Sequence, residues 1–193
     1  QGVSSAASDV YKRQGLSYAE YRKSTEILSI LLGPATVALA VPLYLNLRRI
    51  RQLFWPILAT LVVGGVVATS LGVLLGWWFG AEHMILMTMA PKSVTSPIAM
   101  LVAEQIGGVA ALAAVFVLIT GVIGAIFGPG LLNRLGVHGP EARGMALGMT
   151  AHAVGTSVAL QESEECGAFA ALAMSLMGVA TAVLLPLAVS LLV

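Results

Sequence analysis

The 193 residues are 58% apolar and only 10% charged, with a mean hydropathy of +0.93, whereas soluble domains carry about 25% charged residues. Such a chain cannot cover a soluble surface, and its long apolar runs make a bilayer the relevant solvent. The formal net charge of +1 is the remainder of ten basic and nine acidic residues, so no basic face for nucleic acid is expected. The single cysteine, Cys166, has no ligand cluster around it. It reads as a small apolar helix residue, and neither a disulfide framework, a metal site nor a cofactor is implied.

Residues 1–14, QGVSSAASDVYKRQ, are polar, patternless and without the apolar core of a signal peptide. They read as a foreign leader of the translated-adapter kind, with natural sequence beginning near Gly15 and residues 15–193 forming one membrane domain truncated at its amino end. The first apolar segment, Glu26 to Leu45, contains Pro34 and Pro42 and is expected to bend. Arg48, Arg49 and Arg51 follow at once, which marks a cytoplasmic loop under the positive-inside rule. Phe54 to Phe79 is an uninterrupted span closing on Trp77, Trp78 and Phe79, rings suited to the outer membrane boundary.

From Met84 to Gln105 two short apolar pieces flank the polar centre Pro91-Lys92-Ser93-Val94-Thr95-Ser96-Pro97, which predicts a broken or re-entrant helix. Val109 to Leu132 reads as a span, followed by a loop carrying Arg134, His138, Glu141 and Arg143. Pro140 to Gln161 has a second polar centre, His152-Ala153-Val154-Gly155-Thr156-Ser157. A last span is expected from about Cys166 to Leu192, entered through Ser163 as N-cap and Glu164 and Glu165 as an acidic first turn. The whole is an all-α, multi-span helical bundle with two broken segments.

The second half of the chain resembles itself at an offset of about 60 residues. Val94-Thr95-Ser96 answers Gly155-Thr156-Ser157, and Ala110-Ala111-Leu112-Ala113 answers Ala170-Ala171-Leu172-Ala173. If each broken segment re-enters, the unit crosses once and its two copies are inverted, the arrangement in which substrate sites form near the midplane. Arg134 and Arg143 then share the cytoplasmic side with Arg48 to Arg51, and Glu82 with His83 lies outside.

The candidate binding residues lie in the two centres. Ser96 as N-cap with Pro97 at the first helical position starts a half-helix whose free N–H groups, beside Lys92, suit a carboxylate. A lysine at the bilayer centre costs roughly 2.5–3.5 kcal/mol and needs a partner or water. Lys92 therefore either meets an anion, pairs with Glu82 or Glu104, or snorkels to the headgroups. Ser93, Thr95 and Ser96 serve either as ligand contacts or as local caps. In the second centre Gly155 permits a chain reversal, and Thr156 or Ser157 caps the next half-helix. His152 either donates to a carboxylate or exchanges a proton, or it bonds a backbone carbonyl between helices. Gly64, Gly65, Gly121 and Gly124 suit close helix packing. No phosphate loop, metal spacing or nucleophile motif points to an enzyme.

Leu32-Gly33-Pro34-Ala35-Thr36-Val37-Ala38-Leu39-Ala40-Val41-Pro42-Leu43-Tyr44 and the two polar centres resemble, in order and distance, the LrgB/CidB family from about Ile27 to the carboxyl end. The resemblance implies a multi-pass protein of the bacterial inner membrane, with a holin-like LrgA/CidA-type partner or a homo-oligomer. The role expected first is transport of a small anionic metabolite such as pyruvate or glycolate, as in a related plastid glycolate/glycerate transporter domain, with antiholin-like modulation of murein hydrolase activity and cell lysis as the alternative.

Overall fold

A computed structural model describes residues 40–192 of the chain. The proposed leader, the boundary near Gly15 and most of the first apolar segment lie outside the described residues. Contacts divide the chain at residue 41, and the helical bundle belongs to the unit Pro42–Val193. Eight helices occur among the described residues: α1 (Ala40–Leu45), α2 (Leu47–Gln52), α3 (Phe54–Trp78), α4 (His83–Met89), α5 (Ser96–Gln105), α6 (Ala110–Arg134), α7 (Pro140–Glu162) and α8 (Glu164–Leu192). Three of them, α3, α6 and α8, are long and apolar enough to cross a membrane. Their exposed faces carry Val62, Val66, Leu118, Ile126, Val183 and Leu187, as lipid-facing surfaces require.

Entry into α8 follows the sequence reading: Ser163 Oγ accepts from the Cys166 N–H at 3.0 Å, and Glu164 and Glu165 occupy the first turn. The ion pair between Arg49 and Glu141 (2.6 Å) ties α2 to the start of α7. It puts the arginines around α2 and those around the α6–α7 loop at one end of the bundle, as charge predicted. Trp77 and Trp78 close α3 at the other end.

The two interrupted segments turn back on themselves. A straight helix of the length of α7 would run about 33 Å, yet Arg143 near its start and Glu162 at its end form a two-pronged bond of 2.7 and 2.6 Å. The bend is at His152, whose φ of 44° and ψ of −130° interrupt the helix. A Cβ added to Gly155 would run into the Leu147 carbonyl oxygen, so the two limbs lie side by side. Gly144 and Gly148 bring the first limb against the backbone of α8 at Cys166 and Ala170.

The α4–α5 segment enters from the tryptophan-bearing end. Gly76 faces Leu86 and Gly72 faces Lys92, so the chain descends along α3 and turns at residues 90–95. The Val109 N–H then bonds Thr88 Oγ1 at 2.9 Å, which returns the foot of α5 to the level of α4. Thr88 is fully buried, and its hydroxyl also donates to the Met84 carbonyl at 2.7 Å. The two tips thus enter the bundle from opposite ends. A core of Val94, Ala103, Val117, Met149, Phe169 and Met177, among others, is built by α5, α6, α7, α8 and the first tip together.

Candidate functional site

The first tip holds Lys92 near the middle of α3. Its ammonium donates to the Ala68 carbonyl at 3.1 Å and lies 3.5 Å from Ser93 Oγ. A Cβ at Gly72 would stand 2.9 Å from both Lys92 Cε and Nζ. Within α3 the Ala68 carbonyl already accepts from the N–H four residues on, which is that of Gly72. The second lone pair is open to Lys92 because residue 72 has no side chain to cover it.

The second tip repeats the device. His152 Nε2 lies 2.9 Å from the Val117 carbonyl oxygen; a carbonyl only accepts, so Nε2 carries the hydrogen. The residue four further along α6 is Gly121, where a Cβ would approach the His152 ring to 2.7 Å. His152 is buried and meets the carbonyl between helices that was one of its two sequence readings. Each tip is thus seated by one polar side chain crossing a glycine to the carbonyl one turn earlier.

Around these anchors the hydroxyls are used locally. Thr156 donates to the His152 carbonyl at 2.8 Å, and Ser157 to the Val154 carbonyl at 2.7 Å. Thr156 is buried and Ser157 exposed. Three sequence expectations shift in detail. Ser96 is the first residue of α5, and Thr95, extended at φ −66° and ψ 148°, takes the cap position without a side-chain bond. The chain reverses at His152 instead of Gly155, because Gly155 is needed for close approach of the two limbs. The half-helix after the bend therefore starts just beyond His152, ahead of Thr156. Among the described residues, neither Glu82 nor Glu104 forms an ion pair with Lys92; the ion pairs are Arg49 with Glu141 and Arg143 with Glu162.

The structure brings Lys92 and Ser93 into one tip and His152 and Thr156 into the other. Among the described residues no hydrogen bond joins the two sets. They border one another through the core: Val94, next to Ser93, and Val117, whose carbonyl holds His152, belong to the same buried cluster.

The sequence model of the LrgB-like family matches residues 8–191. The chain belongs to the LrgB-like family. An uncharacterised protein of Haemophilus influenzae is 36% identical over 171 residues, covering 89% of this chain and 74% of that protein. The antiholin-like protein LrgB of Bacillus subtilis is 32% identical over 177 residues, covering 92% and 77% respectively. The antiholin-like protein LrgB of Bacillus mycoides is 32% identical over 171 residues, covering 89% and 74%. No solved structure matches the chain.

In this LrgB-family chain the base of the second hairpin is closed by a group that carries no signature in the sequence. Arg143, only 9% exposed, donates to both oxygens of Glu162, to Asn133 Oδ1 at 2.8 Å and to the Val137 carbonyl at 2.9 Å. Hydrogen bonding from Arg143 holds the Glu162 carboxyl below the usual carboxylate range. At the neighbouring Glu141 its own backbone N–H, followed by the Arg49 guanidinium, does the same. In sequence these residues are loop charges and a solvated helix end; partners nineteen positions apart leave no helical spacing that would signal them.

Proposed function

We propose that the chain is an antiholin-like component of the bacterial inner membrane, acting without catalysis to modulate murein hydrolase activity and cell lysis. The observation that carries this reading is the alignment along most of its length with relatives named antiholin-like protein LrgB. The positive-inside rule assigns the arginine-bearing end to the cytoplasm. The exposed apolar faces of α3, α6 and α8 suit lipid and, for part of their area, a membrane partner of the LrgA/CidA type or a second copy. Expression of the protein in a bacterium lacking its own LrgB-type protein tests it. Restored autolysis rate and murein hydrolase pattern are expected; an unchanged rate with normal membrane levels would reject the role.

A second reading, passage of a small monocarboxylate, is favoured by one specific feature. Lys92 reaches mid-depth with a carbonyl and a hydroxyl as its partners and, among the described residues, no carboxylate paired to it. Beside it begins α5, whose N-terminal N–H groups favour an anion. In this reading Lys92, Ser93, Thr95 and Ser96 meet the carboxylate, while His152, Thr156 and Ser157 complete the pathway from an inverted second unit. Uptake of labelled pyruvate and glycolate into proteoliposomes is the test. Lys92→Met should abolish uptake while insertion holds, given the cost of a lysine at that depth. Equal uptake by wild type and Lys92→Met would remove Lys92 from any substrate site.

A further inference from the structure

A groove of about 380 Å³ opens at the arginine-bearing end of the bundle. Its walls include Pro56 and Thr60 of α3, Glu141, Met145 and Met149 of α7, and Phe169 of α8. The pair of Glu141 with Arg49 stands beside its mouth. Inward from there the walls are apolar up to Met149, Thr60 excepted.

The face of α3 that borders the groove continues directly to the first tip. Residues 60, 64, 68 and 72 recur every four positions and lie in one row. Thr60 lines the groove. Gly64 faces Met149, whose Cε would stand 2.5 Å from a Cβ added there. Ala68 supplies the carbonyl that holds the Lys92 ammonium, and Gly72 carries the stem of that side chain. Met149 therefore closes the groove about 6 Å, one step of the row, short of the ammonium's seat.

We propose that the groove is the inner vestibule leading to Lys92, and that Met149 seated on Gly64 is the hydrophobic gate between them. The proposal rests on the monocarboxylate reading, in which Lys92 meets a small anion. A methionine suits the position because its unbranched chain has three rotatable bonds and can swing aside without backbone movement. Closing a pore by an apolar constriction excludes water and ions together. Gly64 gives the side chain a seat flush with α3, where any larger residue would hold it out in the groove.

The test needs no transport and uses the full chain with its single cysteine removed by Cys166→Ala. Thr60→Cys reports on the groove, and Ala68→Cys and, separately, Lys92→Cys report on the space beyond Met149. Each is treated from the arginine-bearing side with a membrane-impermeant thiol reagent. Thr60→Cys should react whichever residue is at position 149. The two deeper cysteines should react slowly with Met149 present and about tenfold faster or more in Met149→Ala. Met149→Leu, which nearly conserves volume, should restore the slow rate. Equal rates at the deep positions with and without Met149, or an unreactive Thr60→Cys, would overturn the gate. If the gate behaves as expected while pyruvate and glycolate uptake are absent, the monocarboxylate reading fails and the vestibule stands.

Discussion

The Lys92 ammonium reaches the Ala68 carbonyl at 3.1 Å by crossing a glycine, and His152 reaches Val117 at 2.9 Å across another. A methyl group at either glycine must displace the crossing side chain, but the two displacements differ. At Gly72 the obstacle is the flexible end of a lysine; at Gly121 it is an imidazole ring fixed by its own bond, with Val154 also 3.1 Å away. Gly121→Ala should therefore destabilise more, within the 1–3 kcal/mol typical of about one methylene of overpacking. In thermal unfolding in detergent, Lys92→Ala should relieve most of the cost of Gly72→Ala. Strictly additive effects would show that the glycine does not serve as the lysine's seat.

Glycines in other parts of the bundle divide by what they face. A Cβ at Gly148 would collide with the Ala170 carbonyl oxygen in the backbone of α8, whereas one at Gly130 meets none of the described residues within 4 Å. Backbone cannot rotate away, so Gly148→Ala should cost about 3 kcal/mol or more and lower the yield of folded protein. Gly130→Ala should be neutral or stabilise by up to about 1 kcal/mol through helix propensity. Similar melting temperatures for the two variants would contradict the packing of the first α7 limb on α8.

Glu162 makes the base of the second hairpin sensitive to acid. Its carboxyl titrates lower in the folded chain than in the unfolded one, through its bonds from Arg143. The stabilisation is therefore complete above the usual carboxylate range and is lost as pH falls through the depressed folded value. Glu162→Gln should remove this pH dependence and lower stability at neutral pH by about 1–3 kcal/mol, because the neutral amide cannot match the two charge-assisted bonds. An unfolding midpoint in Glu162→Gln that still falls as steeply on acidification as in wild type would assign the acid response elsewhere.

The topology is open to direct chemistry. In the Cys166→Ala background, cysteine at Glu82 should label from the outer face only and cysteine at His138 from the cytoplasmic face only. Both positions are exposed and, among the described residues, outside any ion pair, unlike Arg143, whose replacement would open the hairpin base. Labelling of both from one face would eliminate the opposed hairpins.

Much of this architecture was legible in residue pattern. The span predicted at Phe54 to Phe79 is α3, Phe54–Trp78, because an unbroken apolar run of that length has one stable form in lipid. The breaks around Lys92 and His152 were visible as polar residues between half-length apolar pieces. What escaped was the identity of the tertiary partners, even where close packing at Gly64 and Gly121 and a carbonyl bond at His152 were expected. The bend was expected at Gly155, the residue with the freest backbone, but it falls on His152, where a side-chain anchor on α6 holds a positive φ. The Arg143 to Glu162 bond and the Gly64 seat for Met149 depend on limbs meeting in space, and no local spacing announces either. The candidate site was legible as residue type and depth; the carbonyls that hold Lys92 and His152 belong to other helices and carry no sequence signature.

The hairpin of α7 also constrains how the chain is made. Each of its limbs has roughly half the length needed to cross a bilayer, so neither is a segment that a translocon would release into lipid as a span. The first limb rests with Gly144 and Gly148 against the backbone of α8, a helix synthesised only afterwards. Until α8 has left the ribosome, the bend at His152 has no protein wall on that side, and its backbone groups cannot be left bare in hydrocarbon. Biogenesis must therefore run against chain order at this point: α8 inserts first and the hairpin folds into place against it. A nascent chain arrested before α8 should expose α7 to proteases that the finished protein resists.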